Sequence, residues 1–174
     1  MEFYKERGGN MYKNIMVPLD GSELAECVLP HVEGFIESCQ VGFIIFIRAI
    51  KPETMVSRGT YLAGEVDFKV IQENAKRIEE EKKSFADEYL AQVVNRFSKY
   101  TEVTFQTKVI VGDVAECLID YAEENDIDLI LIATHGRSGV SRWVRGSIAD
   151  RILRASRIPV LMVRAPGTMG EQKG

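Results

Sequence analysis

The chain has 174 residues, 45% of them hydrophobic and 28% charged, with a net charge of -4 at pH 7. That length serves one domain with a substantial core and is too short for two comfortable ones, and the composition excludes disorder as the default. The acidic balance, with a pI near 5.4, argues against a protein that coats nucleic acid, a task that needs a broad excess of Lys and Arg.

The opening stretch "MEFYKERGGN" lacks the apolar centre of a signal peptide, and no run approaches the ~20 apolar residues that span a membrane, so a cytoplasmic location is expected. Residues 1 to 10 read as a flexible extension, because the globular pattern starts at Met11 in "MYKNIMVPLD". "NIMVPLD" (14 to 20) is a short apolar run closed by the turn formers Asp20 and Gly21, and it predicts the first strand. Ser22 then predicts a helix N-cap, ahead of a face made by Leu24, Val28, Val32, Phe35 and Cys39. Pro30 predicts a kink or a lost hydrogen bond inside that helix. "VGFIIFIRAI" (41 to 50) is continuously apolar, the pattern of a strand covered on both faces.

Residues 51 to 66 carry Pro and two Gly without a period and read as a mobile loop. A long helix follows, from about Asp67 to Phe97, with an expected buried stripe of Ile71, Ala75, Ile78, Phe85, Tyr89, Val93 and Phe97. Its charges, such as Glu73 with Arg77 and Glu79 with Lys83, read as a solvated outer face. "EVTFQTKVIV" (102 to 111) alternates, which suits a strand at the sheet edge. In "GDVAECLIDYAEEN", Asp113 and Glu116 form a capping-box-like pair before a helix whose inner face is Ala115, Leu118, Ile119 and Ala122. "DIDLILIAT" is the fourth strand, a helix runs from about Gly146 to Ala155, and "IPVLMVR" (158 to 164) is the fifth strand. Residues 166 to 174 read as a disordered tail, which leaves 11 to 165 as the domain. Cys27, Cys39 and Cys117 share no C-x-x-C spacing and lie in apolar or helical patterns, so they read as reduced core thiols rather than disulfide or zinc ligands.

Strands alternating with helices predict an α/β fold, an open parallel five-stranded sheet with helices on both faces. Such sheets bind ligands at the carboxyl ends of their strands, where strand order reverses. Asp20 ends the first strand and Ala133 the fourth, so adjacency of those strands would bring Asp20 to the loop "ATHGRSGVSRWVRGS". This loop carries Gly136, Gly139 and Gly146 with Arg137, Arg142 and Arg145. Gly146 and Ser147 stand where the last helix opens, and the free N–H groups and partial positive charge of a helix start hold anions. Gly136 permits a tight turn back over the same anion. A phosphate cradle made mostly of main chain is one reading; a plain glycine turn is the other. Arg151, Arg154 and Arg157 read as solvated residues that suit a helix C-terminus. There is no G-x-x-x-x-G-K-[ST], no G-x-G-x-x-G and no G-x-S-x-G.

"MYKNIMVPLDGSELAE" and "VIVGDVAECLIDYAEENDIDLILIATHGRSGVSRWVRGSIADRILRASRIPVLMVR" together resemble a universal stress protein domain, over about residues 11 to 165. The resemblance implies a Rossmann-like fold of the adenine nucleotide alpha hydrolase type, with strand order 3-2-1-4-5. Nucleotide-binding members of that family share G-x-x-G, nine residues, then G-[ST]. Here Gly136, nine residues and Gly146-Ser147 fit, while the first glycine of the pattern falls on Ala133. The resemblance implies ATP or AMP, accompanied by Mg, lying across the ends of strands one and four. It places Asp20 on the ribose, Pro18 and Leu19 beside the adenine and Ala49 against the base. It assigns Ile132, Ala133, His135 and Gly136 to the first half of the phosphate loop and Gly146, Ser147 and Ile148 to the second. Read alone, Asp20 serves equally as a turn former, a cap or a ligand contact, and His135 as a loop residue satisfied by backbone. The resemblance also implies a homodimer paired through the last strand, Pro159 to Val163, whose apolar edge would otherwise invite aggregation.

Three functions compete on these residues. The first is an ATP-binding stress-response protein acting as a homodimeric, nucleotide-dependent regulator; the second is a dimeric interaction module of the same family without nucleotide, which Ala133 keeps open. The third is an enzyme on the same sheet type. Nucleotidyl-transfer and pyrophosphatase relatives use a Ser-Gly-Gly-rich loop after strand one, where this chain has "LDGSE". With His31 and His135 as its two histidines, the chain assembles no Ser-His-Asp or metal cluster by sequence. Slow ATP hydrolysis is the most such equipment would support, and neither nucleic acid nor membrane is an expected partner.

Overall fold

The computed structural model describes residues 12–52, 68–134 and 148–165. The expected N-terminal extension, most of the 51 to 66 loop, the tail from 166 onward and the glycine loop from His135 to Ser147 lie outside the described residues. Five strands, β1 (Asn14–Pro18), β2 (Phe43–Ile50), β3 (Thr104–Val111), β4 (Leu129–Thr134) and β5 (Val160–Arg164), form one sheet. Its order is β3-β2-β1-β4-β5 and every pairing is parallel. Among the described residues four α-helices lie between or beside them: α1 (Leu29–Ser38), α2 (Phe68–Arg96), α3 (Val114–Glu124) and α4 (Ile148–Ala155).

Strand alternation divides the core in two. Ile15, Val17, Ile44, Phe46, Leu129 and Leu131 face α1 and α2, whereas Met16, Ile45, Ile47, Ile130 and Ile132 face α3 and α4. The continuous apolar run of β2 is explained by this double cover, since Ile44, Ile45, Phe46 and Ile47 are all buried. β3 lies at an edge, and its Thr104, Gln106, Thr107 and Lys108 are exposed. Under α2, Phe46, Phe97 and Phe105 pack ring against ring at centroid distances of 5.2 to 6.2 Å.

Two helices differ from the expectation. Ser22 Oγ accepts from Ala25 N at 3.1 Å, but it closes a turn and is not a helix N-cap: the residues that follow form a 3-10 turn, Ala25–Val28, whose N-cap is Leu24. The α-helix proper starts only at Leu29, with Pro30 in its first turn. There the missing proline N–H is one that no helix would pair, so Pro30 starts α1 instead of kinking it.

Among the described side chains of α2 the buried ones are Ala86, Leu90 and Val93, with Phe97 buried just past its end, while Phe85 is 70% and Ile78 is 40% exposed. No residue from 72 to 85 is buried. Length explains this: 29 helical residues extend about 43 Å at ~1.5 Å each, but the 8-residue strands β2 and β3 extend only about 27 Å. The amino-terminal half of α2 therefore has no sheet beneath it. The small Ala86, not Phe85, is the residue that approaches the sheet.

Truncating the two candidate stripes should separate them. Leu90→Ala is expected to cost about 2–5 kcal/mol in urea unfolding, and Phe85→Ala no more than about 0.5 kcal/mol. Equal losses would mean that the helix is rotated from the face described.

Candidate functional site

β1 pairs with β2 along its whole length, from Asn14–Phe43 to Pro18–Ile47. On its other side the ladder with β4 has two pairs, Ile15–Leu129 and Met16–Ile130. β4 continues to pair with β5 as far as Thr134–Arg164. The carboxyl ends of β1 and β4 therefore diverge at the position in the sheet where chain connections change direction, which is where open α/β sheets form a ligand crevice.

The β1 lip of this crevice is tightly specified. Pro18 and Leu19 are buried, and Leu19 N donates to Ile47 O at 2.9 Å. Asp20 is exposed; its Oδ1 accepts from Ser22 N at 2.9 Å and from Ser22 Oγ at 2.6 Å. This is the turn-forming role open to Asp20, and it leaves Oδ2 without a hydrogen bond to any described residue. Gly21 has φ +88°, and a Cβ there would lie 2.9 Å from Arg48 Nη1. Continuing the β1–β2 register sets the half-buried Ala49 beside Asp20.

On the β4 lip, Ile132 is buried and Ala133 half-buried, the latter paired with Val163. Ala133 does not have a positive φ, so its position makes no demand that only glycine could meet. Ile148 begins α4 and is 39% exposed, while the next residues inward, Ala149 and Ile152, pack in the same cluster as Ile132. Asp150, the acid of that first turn, is paired with Arg154 Nε at 3.0 Å. Thus Pro18, Leu19, Asp20, Ala49, Ile132 and Ala133 line the carboxyl edge beside the divergence, and Ile148 opens the neighbouring helix. His135, Gly136, Gly146 and Ser147, with Arg137, Arg142 and Arg145, lie outside the described residues.

Three residues near this region carry no strong sequence signal. Arg48 lies in the last three residues of the apolar strand β2, with its guanidinium 5.6 Å above the Tyr89 ring and against Gly21. Among the described residues Tyr89 Oη, which is buried, has no hydrogen-bond partner. Burial pushes its phenol well above the ordinary tyrosine range, and the nearby Glu26 carboxylate adds to the effect although the two groups do not meet hydrogen-bond geometry. An arginine placed between "FIIFI" and "AI" was the one available signal. Arg151 corrects an expectation: it does not simply face water, but donates twice to Asp113, at 3.1 and 2.9 Å. Arg157 is exposed as expected.

The family model of the universal stress protein family matches residues 11–164. Universal stress protein MJ0577 of Methanocaldococcus jannaschii is 29% identical over 161 residues, covering 88% of this chain and 96% of its own. The solved structure of hypothetical protein MJ0577 matches with a TM-score of 0.70 at 23% identity, covering 91% of this chain and 99% of that one. A universal stress protein family protein of Arabidopsis thaliana, solved with AMP bound, matches at TM-score 0.53 and 12% identity, over 89% and 93% of the two chains. The universal stress protein of Archaeoglobus fulgidus, solved in complex with dAMP, matches at TM-score 0.53 and 19% identity, over 87% and 98%.

Gly21→Ala tests the rigidity of the β1 lip. With positive φ and the Arg48 contact both opposing a Cβ, the expected loss is about 1 kcal/mol or more in chemical denaturation. A neutral or stabilising result would show that the turn is free to adopt another conformation.

Proposed function

The chain belongs to the universal stress protein family, and from this we propose that it binds an adenine nucleotide, ATP or AMP, across the divergence of β1 and β4. In this reading it acts in the cytoplasm as a homodimeric, nucleotide-dependent regulator of a stress response. The observation that carries the nucleotide reading is the break in the β1–β4 ladder after Met16–Ile130, flanked by Asp20 on one side and by the glycine-patterned segment between Thr134 and Ile148 on the other. The AMP and dAMP held by the Arabidopsis and Archaeoglobus relatives support it.

Each group has a physical role in this reading. The main-chain amides of Gly136, Gly146, Ser147 and Ile148 hold the phosphates, because a helix start offers unpaired donors and a partial positive charge. Asp20 Oδ2 accepts from a ribose hydroxyl while Oδ1 stays committed to Ser22. Pro18, Leu19, Ala49, Ile132 and Ala133 supply apolar contact for the base and close approach for the sugar, with His135 beside the phosphates. Among the described residues no group of three or more His, Cys, Asp or Glu could hold a metal, so the Mg of this proposal arrives on the phosphates of ATP.

Ala133 carries the competing reading, a dimeric interaction module without nucleotide. Its extended conformation in β4 favours binding over that alternative, since the alanine adds one methyl and no backbone strain. Isothermal calorimetry with ATP and Mg, and separately with AMP, should give saturable binding to the wild-type chain. Gly146→Leu should weaken it at least about tenfold, equivalent to ~1.4 kcal/mol, with the unfolding transition retained. Absence of binding to the wild type would leave the interaction module as the function.

The dimer reading draws on β5. It is the edge strand opposite β3, Leu161 is 39% exposed, and Val160 and Met162 are half-buried, so a second copy adding antiparallel there would cover an apolar edge. Sedimentation velocity should find a dimer in the wild type and a monomer in Leu161→Lys. A wild-type monomer at high concentration, or a dimer indifferent to the substitution, would overturn the pairing.

A further inference from the structure

α4 is held to the sheet through a small surface. Of its 8 residues, Ala149 and Ile152 are buried, whereas Ile148 and Leu153 remain 39% and 48% exposed. Ala149 and Ile152 turn one face of this short helix toward the core shared with α3. Arg151 adds a directional tie to that packing. Its Nη1 donates to Asp113 Oδ2 at 3.1 Å and its Nη2 to Oδ1 at 2.9 Å, the fork geometry that restricts direction as well as distance.

The carboxylate it grips is itself anchored. Asp113 Oδ1 caps α3 by accepting from Ala115 N at 3.1 Å and Glu116 N at 3.2 Å. Just before it, a Cβ at Gly112 would overlap Cys117 Sγ, and Cys117 N donates to Asp113 O at 2.9 Å. The β3–α3 turn is thus packed against the first turn of its own helix, and Asp113 transmits that rigidity to α4. Hydrogen bonds from Arg151 and the α3 amides hold the Asp113 carboxyl below its usual range, and Asp113 raises the Arg151 guanidinium in return. Arg151 and Asp113 side chains are 43% and 41% exposed, so the pair's contribution to overall stability is small. Its consequence lies in orientation.

We infer that Arg151, acting through Asp113, is a positioning residue for the nucleotide phosphates: it sets the rotation of α4, and so the direction of the amides at that helix's start, without touching the ligand. This rests on the nucleotide reading and adds to it a residue three positions inside α4, on a neighbouring helix's cap.

The test compares full-length wild type with Arg151→Ala, Asp113→Asn, the double variant and Arg151→Lys. ATP affinity is measured by calorimetry, adenosine affinity by displacement of a fluorescent ATP analogue, and stability by urea unfolding. ATP affinity should fall about threefold to tenfold in either single variant and no further in the double one, while adenosine affinity stays within about twofold, because adenosine makes no use of the cradle. Arg151→Lys, which keeps the charge and loses the fork, should fall between wild type and Arg151→Ala. Unchanged ATP affinity, or equal losses for ATP and adenosine, would overturn the positioning role. Failure of the wild type to bind either ligand is a different result, and would remove the nucleotide reading itself.

Discussion

Between β1 and β4 the backbone ladder stops after Met16–Ile130, and the other features of the candidate site depend on that interruption. β1 is the third of five strands in the sheet order, with β2 and β3 on one side and β4 and β5 on the other. α1 and α2 pack on one face of the sheet and α3 and α4 on the other. Connections leaving the carboxyl ends of β1 and β4 therefore run to opposite faces, the arrangement that opens a crevice in sheets of this kind. The backbone around that space is constrained on both sides: Leu19 N is bound to Ile47 O, and Ala133 lies in the β4–β5 ladder.

Rigid support surrounds the divergence at some distance. On one side, Gly21 accommodates the Arg48 guanidinium, which in turn lies over Tyr89 of α2; on the other, Arg151 joins α4 to the cap of α3. Each of these contacts fixes a turn or helix start relative to an element distant in sequence. Their energetic worth is modest one by one, since all involve partly exposed cations. Their geometric effect is larger, because a ligand held by main-chain amides depends on where the main chain is.

Much of this architecture was legible in residue order. The apolar run "FIIFI" reports double cover, the alternation of "TFQTKV" reports an edge, and Asp113 before "VAECL" reports a cap, because each depends on interactions within a few residues or on the side-chain period. The same local logic misjudged α2. Phe85 fits a helical stripe by period, yet its neighbour Ala86 is the residue that is buried: the helix's rotation about its own axis, set by packing on the sheet, decided which face was covered. Pro30 was misplaced for a similar reason: residue identity alone does not tell whether proline interrupts a helix or starts one.

By itself the sequence determined the alternating α/β pattern, the glycine spacing after β4 and the acid that ends β1, all of which rest on local backbone preference and periodicity. Tertiary structure alone decided that the β1–β4 ladder breaks after two pairs and that Arg151 reaches Asp113 across 38 residues of chain. The physical reason is one of range: propensity, capping and side-chain period act over a few residues, whereas ladder length and cross-helix pairing depend on how separately formed elements pack together.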